Sequence, residues 1–479
     1  MGDLWSLVIG HARRAPERAA VTGLHDLTYA RLVGRVEALT PDLLSCAEAG
    51  DVVALEVTAP ETALVGMLAA QRLGMAFLPL DTTMPAARRR HVVAAAGARA
   101  VLTETGPFAL GVARVAEPGP AWPLADPGYV MFTSGSTGSP KGVHVSSRSL
   151  VERLDGLRQV PGFGAGSSFL ALTAISFDIA LAETLLPMVT GGSVVAVDRR
   201  ARVDAARFQE ALETYRPQVV QATPSFWRLM LASGWSGQRG LTLWCGGEPM
   251  TRPLAEALLP CGDELWNLYG PTEATIWATA WRALPDNEIS LGDPLPGTTL
   301  RLFDGDRPVT EPGAAGEIVL SGAGIADGYL GADLDTRFAC RGTADVPAYS
   351  TGDRARYRAD LSLEFLGRSD TQIKLRGHRI ELGEIEAVLE EHPSVVDAIV
   401  VHVAGDGHDG GRLAAAVTTS GEVTTRDLRK WLSHRLPGPM LPRTLHLAGS
   451  LPRTTAGKLD RVAIAENLTP RSAAHDHGH

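Results

Sequence analysis

"MFTSGSTGSPKGVHVSS", residues 131–147, packs glycines, hydroxyls and one lysine directly behind an apolar run, and its reading decides what kind of fold must hold it. A P-loop requires G-x-x-x-x-G-K-[ST], with the closing hydroxyl immediately after the lysine. Lys141 instead follows Pro140 and precedes Gly142, so that nucleotide fold is excluded. The chemistry still points to phosphate. Gly135, Gly138 and Gly142 let backbone N–H groups approach an anion, and Ser134, Ser136, Thr137 and Ser139 add donors around a cationic lysine. A Gly/Ser linker is the plainer alternative, but a linker needs neither the lysine nor a preceding strand. "YVMFTSG" reads as a buried strand entering the loop.

Outward from this loop, apolar runs such as "DVVALEV", "ARAVLT", "GSVVAV", "PQVVQAT" and "LTLWCGG" alternate with helical stretches such as "ETALVGMLAAQRLG" and "VDAARFQEALETY". That alternation predicts an α/β fold with largely parallel sheets. After about residue 285 the texture changes to short strands separated by "PLPG", "EPGAAG" and "GAGIADG", which predicts an antiparallel β-subdomain. Beyond it, "LGEIEAVLEEHP" between "QIKLRG" and "VVDAIVV" predicts a small separate α+β domain. The expected division is therefore 1–369, 370–468 and a disordered tail, 469–479.

Bulk properties narrow the function classes. At 479 residues the chain is long enough for two or more domains. A net charge of −9 argues against nucleic acid, because phosphate neutralisation needs a concentrated basic face. "RRR" at 88–90 is the densest basic run and reads as a solvated helix face. Cys46, Cys245, Cys261 and Cys340 lack CxxC spacing, so neither zinc site nor disulfide framework is suggested, and a reduced cytoplasmic location is expected. The N-terminus does not read as a signal peptide, no run approaches spanning length, and the His-rich end "AAHDHGH" reads as a loose tail.

Downstream of the loop come "NLYGPTEATIWAT" (267–279), "GEIVLSGAGIADGYL" (316–330), "YSTGD" (349–353), "GRSDTQIKLRGHRIELGEIE" (367–386) and "LPRTTAGKLDR" (451–461). With "LTYARL" (27–32) and "QRLGMAFLPLD" (71–81) before it, this ordered series resembles the adenylation domains of nonribosomal peptide synthetases, within the wider group of acyl-CoA synthetases and luciferases. The likeness spans nearly the whole chain. It implies a large multi-sheet N-terminal adenylate-forming domain with a β-subdomain and a small mobile C-terminal lid, activating a carboxylate with ATP and Mg²⁺.

The resemblance assigns roles residue by residue. Thr133, Ser134, Gly135, Ser136, Thr137, Gly138 and Lys141 cradle the leaving phosphates, and Gly247, Glu248, Pro249 and Gly270 complete the nucleotide site. Asn267 contacts the adenine amide, and Tyr269 stacks on adenine. Thr272 lies near the α-phosphate, and Glu273 is the Mg²⁺ ligand, a hard cation suited to oxygen. Asp353 accepts from the ribose hydroxyls, with Arg368 beside it, and Lys458 bridges the reacting oxygens. Asp370 is the hinge, and the loop of Gly377, His378 and Arg379 lines a pantetheine tunnel in a second pose. Lys374 reads equally as a surface charge.

"SFDIALAETLLPMVTGGS" matches the segment whose aspartate, here Asp178, pairs with a substrate α-ammonium; a helix N-cap is the other reading of that residue. The remaining pocket positions align as Ile179, Ala182, Gln221, Leu243, Cys245, Leu268, Ile276 and Trp277. The string is similar to a glycine signature, departing from it at Ala182 and Cys245, and alanine or a small non-standard amino acid fits nearly as well. The implied partners are the amino acid, a separate phosphopantetheinylated carrier protein acting in trans and a small accessory activator, in natural-product (antibiotic) biosynthesis, with no nucleic acid or membrane. Competing expectations are an acyl- or aryl-CoA ligase of the same fold and a non-catalytic adenylate-binding regulator.

Overall fold

The computed structural model describes residues 2–122, 124–135, 140–331, 336–338, 346–370, 372–403, 411–453 and 459–468, excepting the side chains of 462 and 467. Internal contacts divide the chain into two units. One comprises Met1–Thr82, Arg89–Thr133 and Lys141–Asp370; the other comprises Thr83–Arg88, Ser134–Pro140 and Thr371–His479.

The first unit is built on three sheets. The nine-stranded sheet runs in space Asp293–Pro294, Thr279–Ala283, Glu264–Tyr269, Thr242–Gly246, Val219–Ala222, Ser168–Ala171, Ser193–Ala196, Ala19–Gly23, Leu27–Thr28. Pairing is parallel from Ala19–Gly23 through Glu264–Tyr269 and antiparallel at both ends. Because successive side chains of a strand point to opposite faces, this sheet serves two cores. Phe169, Val194, Trp244 and Leu268 pack with Leu181 and Leu185 of the helix Ala180–Thr190. Leu170, Val195, Val220, Leu243, Cys245 and Leu265 pack with Phe208, Trp227 and Trp235.

The phosphate-loop candidate connects a hairpin of the seven-stranded sheet. Pro127–Thr133 runs antiparallel to Lys141–Ser146, with Thr133 opposite Lys141. Beside this sheet lies the helix Pro60–Arg72, buried at every residue from Pro60 to Ala70, as expected of a helix that is apolar all round. Its Gly66 admits close packing, since an added Cβ would lie 2.5 Å from Leu55 Cδ2. The third sheet, Arg307–Val309, Thr298–Asp304, Ala315–Gly322, Ala348–Tyr357 and Leu363–Arg368, is antiparallel throughout and forms where the texture changes.

In the second unit, Gln372–Leu375 pairs with His378–Glu381, and Val395–Val403, Arg412–Thr419 and Thr444–Leu447 form a three-stranded sheet. Helices Leu382–Glu390 and Thr425–Ser433 bury Ile385, Leu389, Leu428 and Leu432 against Val400, Ala415 and Val417 of that sheet. A reciprocal Thr424–Asp427 capping box starts the second of these helices.

The basic run at 88–90 corrects the expectation of a solvated face. Arg88, its side chain only 14% exposed, lies 2.6 Å from the fully buried carboxylate of Glu384, within the same unit. Arg89 reaches Glu56 at 3.3 Å. A buried acid is a strong constraint on its neighbours, and here it draws an arginine out of water. Among the described residues, no helix is long and apolar enough to cross a membrane, and Cys46, Cys245 and Cys261 are free thiols.

Candidate active site

The motif residues of the first unit converge on the C-terminal end of Glu264–Tyr269. Tyr269 donates its hydroxyl to Asp353 Oδ2 at 2.6 Å, and Arg368 Nη1 donates to Asp353 Oδ1 at 2.7 Å. Arg368 also grips Asp370 with two bonds of 2.7 Å, a fork that a carboxylate fits in its plane. A carboxylate has about four lone-pair positions, so buried Asp353 keeps accepting capacity beyond these two donors.

Glu273 is fully buried and accepts the hydroxyl of Tyr329 at 2.6 Å. Lys141, the lysine of the hairpin loop, stands 4.9 Å from the centre of the same tyrosine ring. Tyr329 therefore ties the loop lysine to the buried acid. The motif at 316–330 carries no local sign of this role, because it depends on a contact spanning 56 residues of sequence.

The chain then turns sharply. Thr275 and Ile276 adopt φ of +57° and +67°, a left-handed conformation unfavourable for β-branched residues. The turn folds 276–278 back over Gly270, where a Cβ would come within 2.7 Å of Trp277 Cα. Only glycine tolerates that approach.

Asp178 is buried just before the helix Ala180–Thr190, whose N-cap is Ile179 and lacks a side-chain cap, so the N-cap reading of Asp178 is not met. Burial pushes its carboxyl up to about 6, opposed by the hydroxyl of Thr272 and the backbone N–H groups of Ile179 and Ile276, and reinforced by the charge of Glu273. Oδ2 has no hydrogen-bond partner. On the same side, Gln221 donates to the Ile179 carbonyl at 2.9 Å and to Glu183 Oε1 at 2.9 Å. Gln221 Oε1 accepts from Trp277 Nε1 at 2.7 Å. Ala182, Leu268, Ile276 and Trp277 belong to this core, with Ile179 packed against it.

Leu243 and Cys245 do not belong there. Register pairs Gln221 with Trp244 and Leu268 with Gly246, so Trp244 and Gly246 share the face of Gln221 and Leu268. Leu243 and Cys245 point into the opposite core, where burial pushes the Cys245 thiol up. The expected pocket set was one residue out on this strand, and a one-residue slip exchanges the two faces.

The other candidates are placed as follows. Asn267 is buried and donates to the Ser290 carbonyl at 2.7 Å. Gly247 takes φ +84°, Pro249 is exposed, and Glu248 accepts from Ser225 N and Oγ at 3.0 and 2.6 Å, in the first turn of Pro224–Ala232. Thr133 ends its strand half-buried. Within the second unit, Ser134 Oγ donates to the Arg379 carbonyl at 3.0 Å. Ser136, Thr137, Gly138 and Lys458 lie outside the described residues.

Fold and site together define an adenylate-forming ligase. The AMP-binding enzyme family matches residues 10–119 and 111–330, and the AMP-binding enzyme C-terminal domain matches 384–458. The chain belongs to the AMP-binding enzyme family.

Its relatives are nonribosomal peptide synthetases. Phosphinothricin tripeptide synthetase PhsC of Streptomyces viridochromogenes is 37% identical over 491 residues, which cover 95% of this chain and 44% of that protein. A dimodular nonribosomal peptide synthase of Bacillus subtilis is 34% identical over 86% of this chain and 18% of its own length. The chain thus spans less than half of these curated relatives. Among solved structures, a four-domain nonribosomal peptide synthetase bound to AMP and glycine aligns with TM-score 0.71 and 32% identity, covering 99% of this chain and 37% of that one. A synthetase protein containing adenylation and PCP domains aligns with TM-score 0.83 and 27% identity, covering 97% and 84%.

Proposed function

We propose that this chain activates a small α-amino acid, glycine first and alanine or a small non-standard amino acid next, as its aminoacyl adenylate with release of pyrophosphate. It then passes the acyl group to the phosphopantetheine thiol of a carrier protein supplied in trans. The observation that carries this reading is the buried Asp178 carboxylate, whose Oδ2 has no partner and which lies near the Thr272 hydroxyl and the Ile276 N–H. A buried carboxylate of that kind calls for a cation, and an α-ammonium supplies one. The relative whose structure carries AMP and glycine supports both ligands.

In this reading Asp353 and Arg368 hold the ribose, Tyr269 and Asn267 the adenine, and Thr272 the region of the α-phosphate. The loop of Ser134, Gly135 and Lys141 receives the leaving phosphates, and Lys458 neutralises charge as the carboxylate attacks. Asp370, the last residue of the first unit, is the hinge. Buried Glu273 is the residue that would hold Mg²⁺. Among the described residues no group of three or more His, Cys, Asp or Glu could hold a metal. The cation would be taken through that one carboxylate together with substrate phosphates, where it would offset phosphate charge.

The test is amino-acid-dependent ATP–pyrophosphate exchange with glycine, both alanine enantiomers, serine, cysteine, β-alanine and several benzoates. A dominant glycine or alanine signal supports the reading, and silence on α-amino acids with a benzoate signal overturns the substrate. Lys458→Ala should lower exchange by roughly 10²–10³-fold while ATP binding holds. For the acceptor, loading of a carrier only when it bears the pantetheine arm is expected; thioester formation on free CoA alone refutes it.

A further inference from the structure

We infer that Glu183 is a positioning residue that sets the size of the amino-acid pocket by fixing Gln221 and, through it, the Trp277 indole. The inference rests on the reading of Asp178, Gln221 and Trp277 as that pocket.

Glu183 is fully buried in the first turn of Ala180–Thr190. Its Oε2 accepts from the backbone N–H groups of Leu172 and Thr173, each at 2.8 Å. Its Oε1 accepts from Thr173 Oγ1 at 2.5 Å and from Gln221 Nε2 at 2.9 Å. These anchors come from the segment that follows Ser168–Ala171, so the carboxylate is held from the sheet as well as from the helix.

The chemistry of Gln221 then has one solution. Its Nε2 faces two acceptors, Glu183 Oε1 and the Ile179 carbonyl, both at 2.9 Å. A flipped amide would set oxygen against oxygen at both contacts. Oε1 is therefore turned to the Trp277 N–H, which it meets at 2.7 Å. On the other side the indole lies so close to Gly246 that a Cβ there would come within 2.6 Å of Trp277 Cη2. Gly246 blocks one movement of the ring and the hydrogen bond blocks the other. The wall formed by Trp277 is thus held by a carboxylate on its far side, with Gln221 as the link.

The test measures kcat/KM for glycine and for L-alanine by exchange in the full chain, with ATP KM and thermal melting alongside. Glu183→Gln and Gln221→Leu should each lower the glycine-over-alanine ratio about tenfold, through amino-acid KM, with ATP KM within about twofold. In a Trp277→Phe background, which lacks the indole N–H, adding either substitution should change the ratio less than about twofold. An unchanged ratio in single variants that melt cooperatively and bind ATP overturns the inference, and so does an equal effect in the Trp277→Phe background. Should Glu183→Gln fail to fold, Gln221→Leu and its pairing with Trp277→Phe decide alone. If the wild type activates a different small acid, the amino-acid reading fails by itself. The ratio is then taken between that acid and its next homologue, and Glu183 is judged separately.

Discussion

Two buried carboxylates, Asp178 and Glu183, stand five residues apart and are treated in opposite ways. Glu183 is met by four donors, from Leu172, Thr173 twice and Gln221. Asp178 is left with one oxygen bare. Removing a carboxylate from water costs several kcal/mol unless protein groups replace the lost hydration. At Glu183 the chain supplies more of that replacement itself, though burial still raises its carboxyl, and the acid becomes part of the scaffold. At Asp178 one oxygen lacks a partner, and that difference supports the proposed role of the residue toward a cationic ligand.

The largest effect should come from Asp178→Asn. Substrate affinity should drop by about 10²-fold or more, because a charge-assisted partner of the ammonium is lost, while the free protein keeps or gains thermal stability. Glu183→Gln should do the reverse for stability, lowering the melting temperature because, with the amide oxygen kept on the Leu172 and Thr173 N–H groups, its NH2 would face the Gln221 Nε2 donor. Isothermal titration and melting curves on both variants check the pair, and equal behaviour would erase the distinction.

Next is the contrast between the two faces of Thr242–Gly246. Leu243→Ala should cost about 2–5 kcal/mol of stability with substrate selectivity unchanged, since it leaves a cavity in the core on the sheet face opposite Gln221. Trp244→Leu should alter selectivity as well as stability. Denaturant unfolding with an exchange panel measures both, and a selectivity change at Leu243 would reinstate the first alignment.

The dependence on pH sharpens the carboxylate comparison. Burial raises Asp178 from 3.8 to about 6, so the folded state binds this proton more tightly than the unfolded chain. Stability due to this group is therefore present at low pH and is lost as pH climbs through that window. Binding of an ammonium needs the ionised form and moves the other way, with KM falling up to about tenfold between pH 5 and pH 7. Asp178→Asn should flatten the KM profile. Burial likewise pushes Glu183 up to about 7, so the variant retains that residue's share of the stability slope.

The smallest effect is expected at Tyr329→Phe. Loss of the hydroxyl to Glu273 should raise the Mg²⁺ concentration needed for half-maximal exchange by a few-fold, about 1 kcal/mol, with amino-acid KM unchanged. An equal rise in amino-acid KM would place Tyr329 on the pocket side instead.

Much of this was legible in the residues. Apolar runs alternating with helical stretches, with Gly or Pro at the junctions, located the strands Val219–Ala222 and Thr242–Gly246 and the helix Ala205–Tyr215 within a residue or two. Asp178, Gln221, Leu268, Ile276 and Trp277 were named and do gather. Leu243 and Cys245 were misplaced because a strand fixes facing only through register, and a loop alignment one residue out inverts it. Tyr329 and the Arg88–Glu384 pair depend on contacts between distant segments, which local pattern does not carry. Glu183 had one visible signal, an acid inside the apolar run "ALAETLLPMV", where a charge must be answered by donors.

In the proposed reading, the side chains assigned to the amino-acid pocket fall between Asp178 and Trp277, whereas Asp353 and Arg368 lie well beyond that stretch. On that reading, what the protein selects is inherited on one continuous piece of its gene, which also carries Asn267, Tyr269, Thr272 and Glu273 but not the pair at 353 and 368. A single exchange of that piece between relatives can change the monomer chosen in one step, provided that Glu183 travels with Gln221 and Trp277.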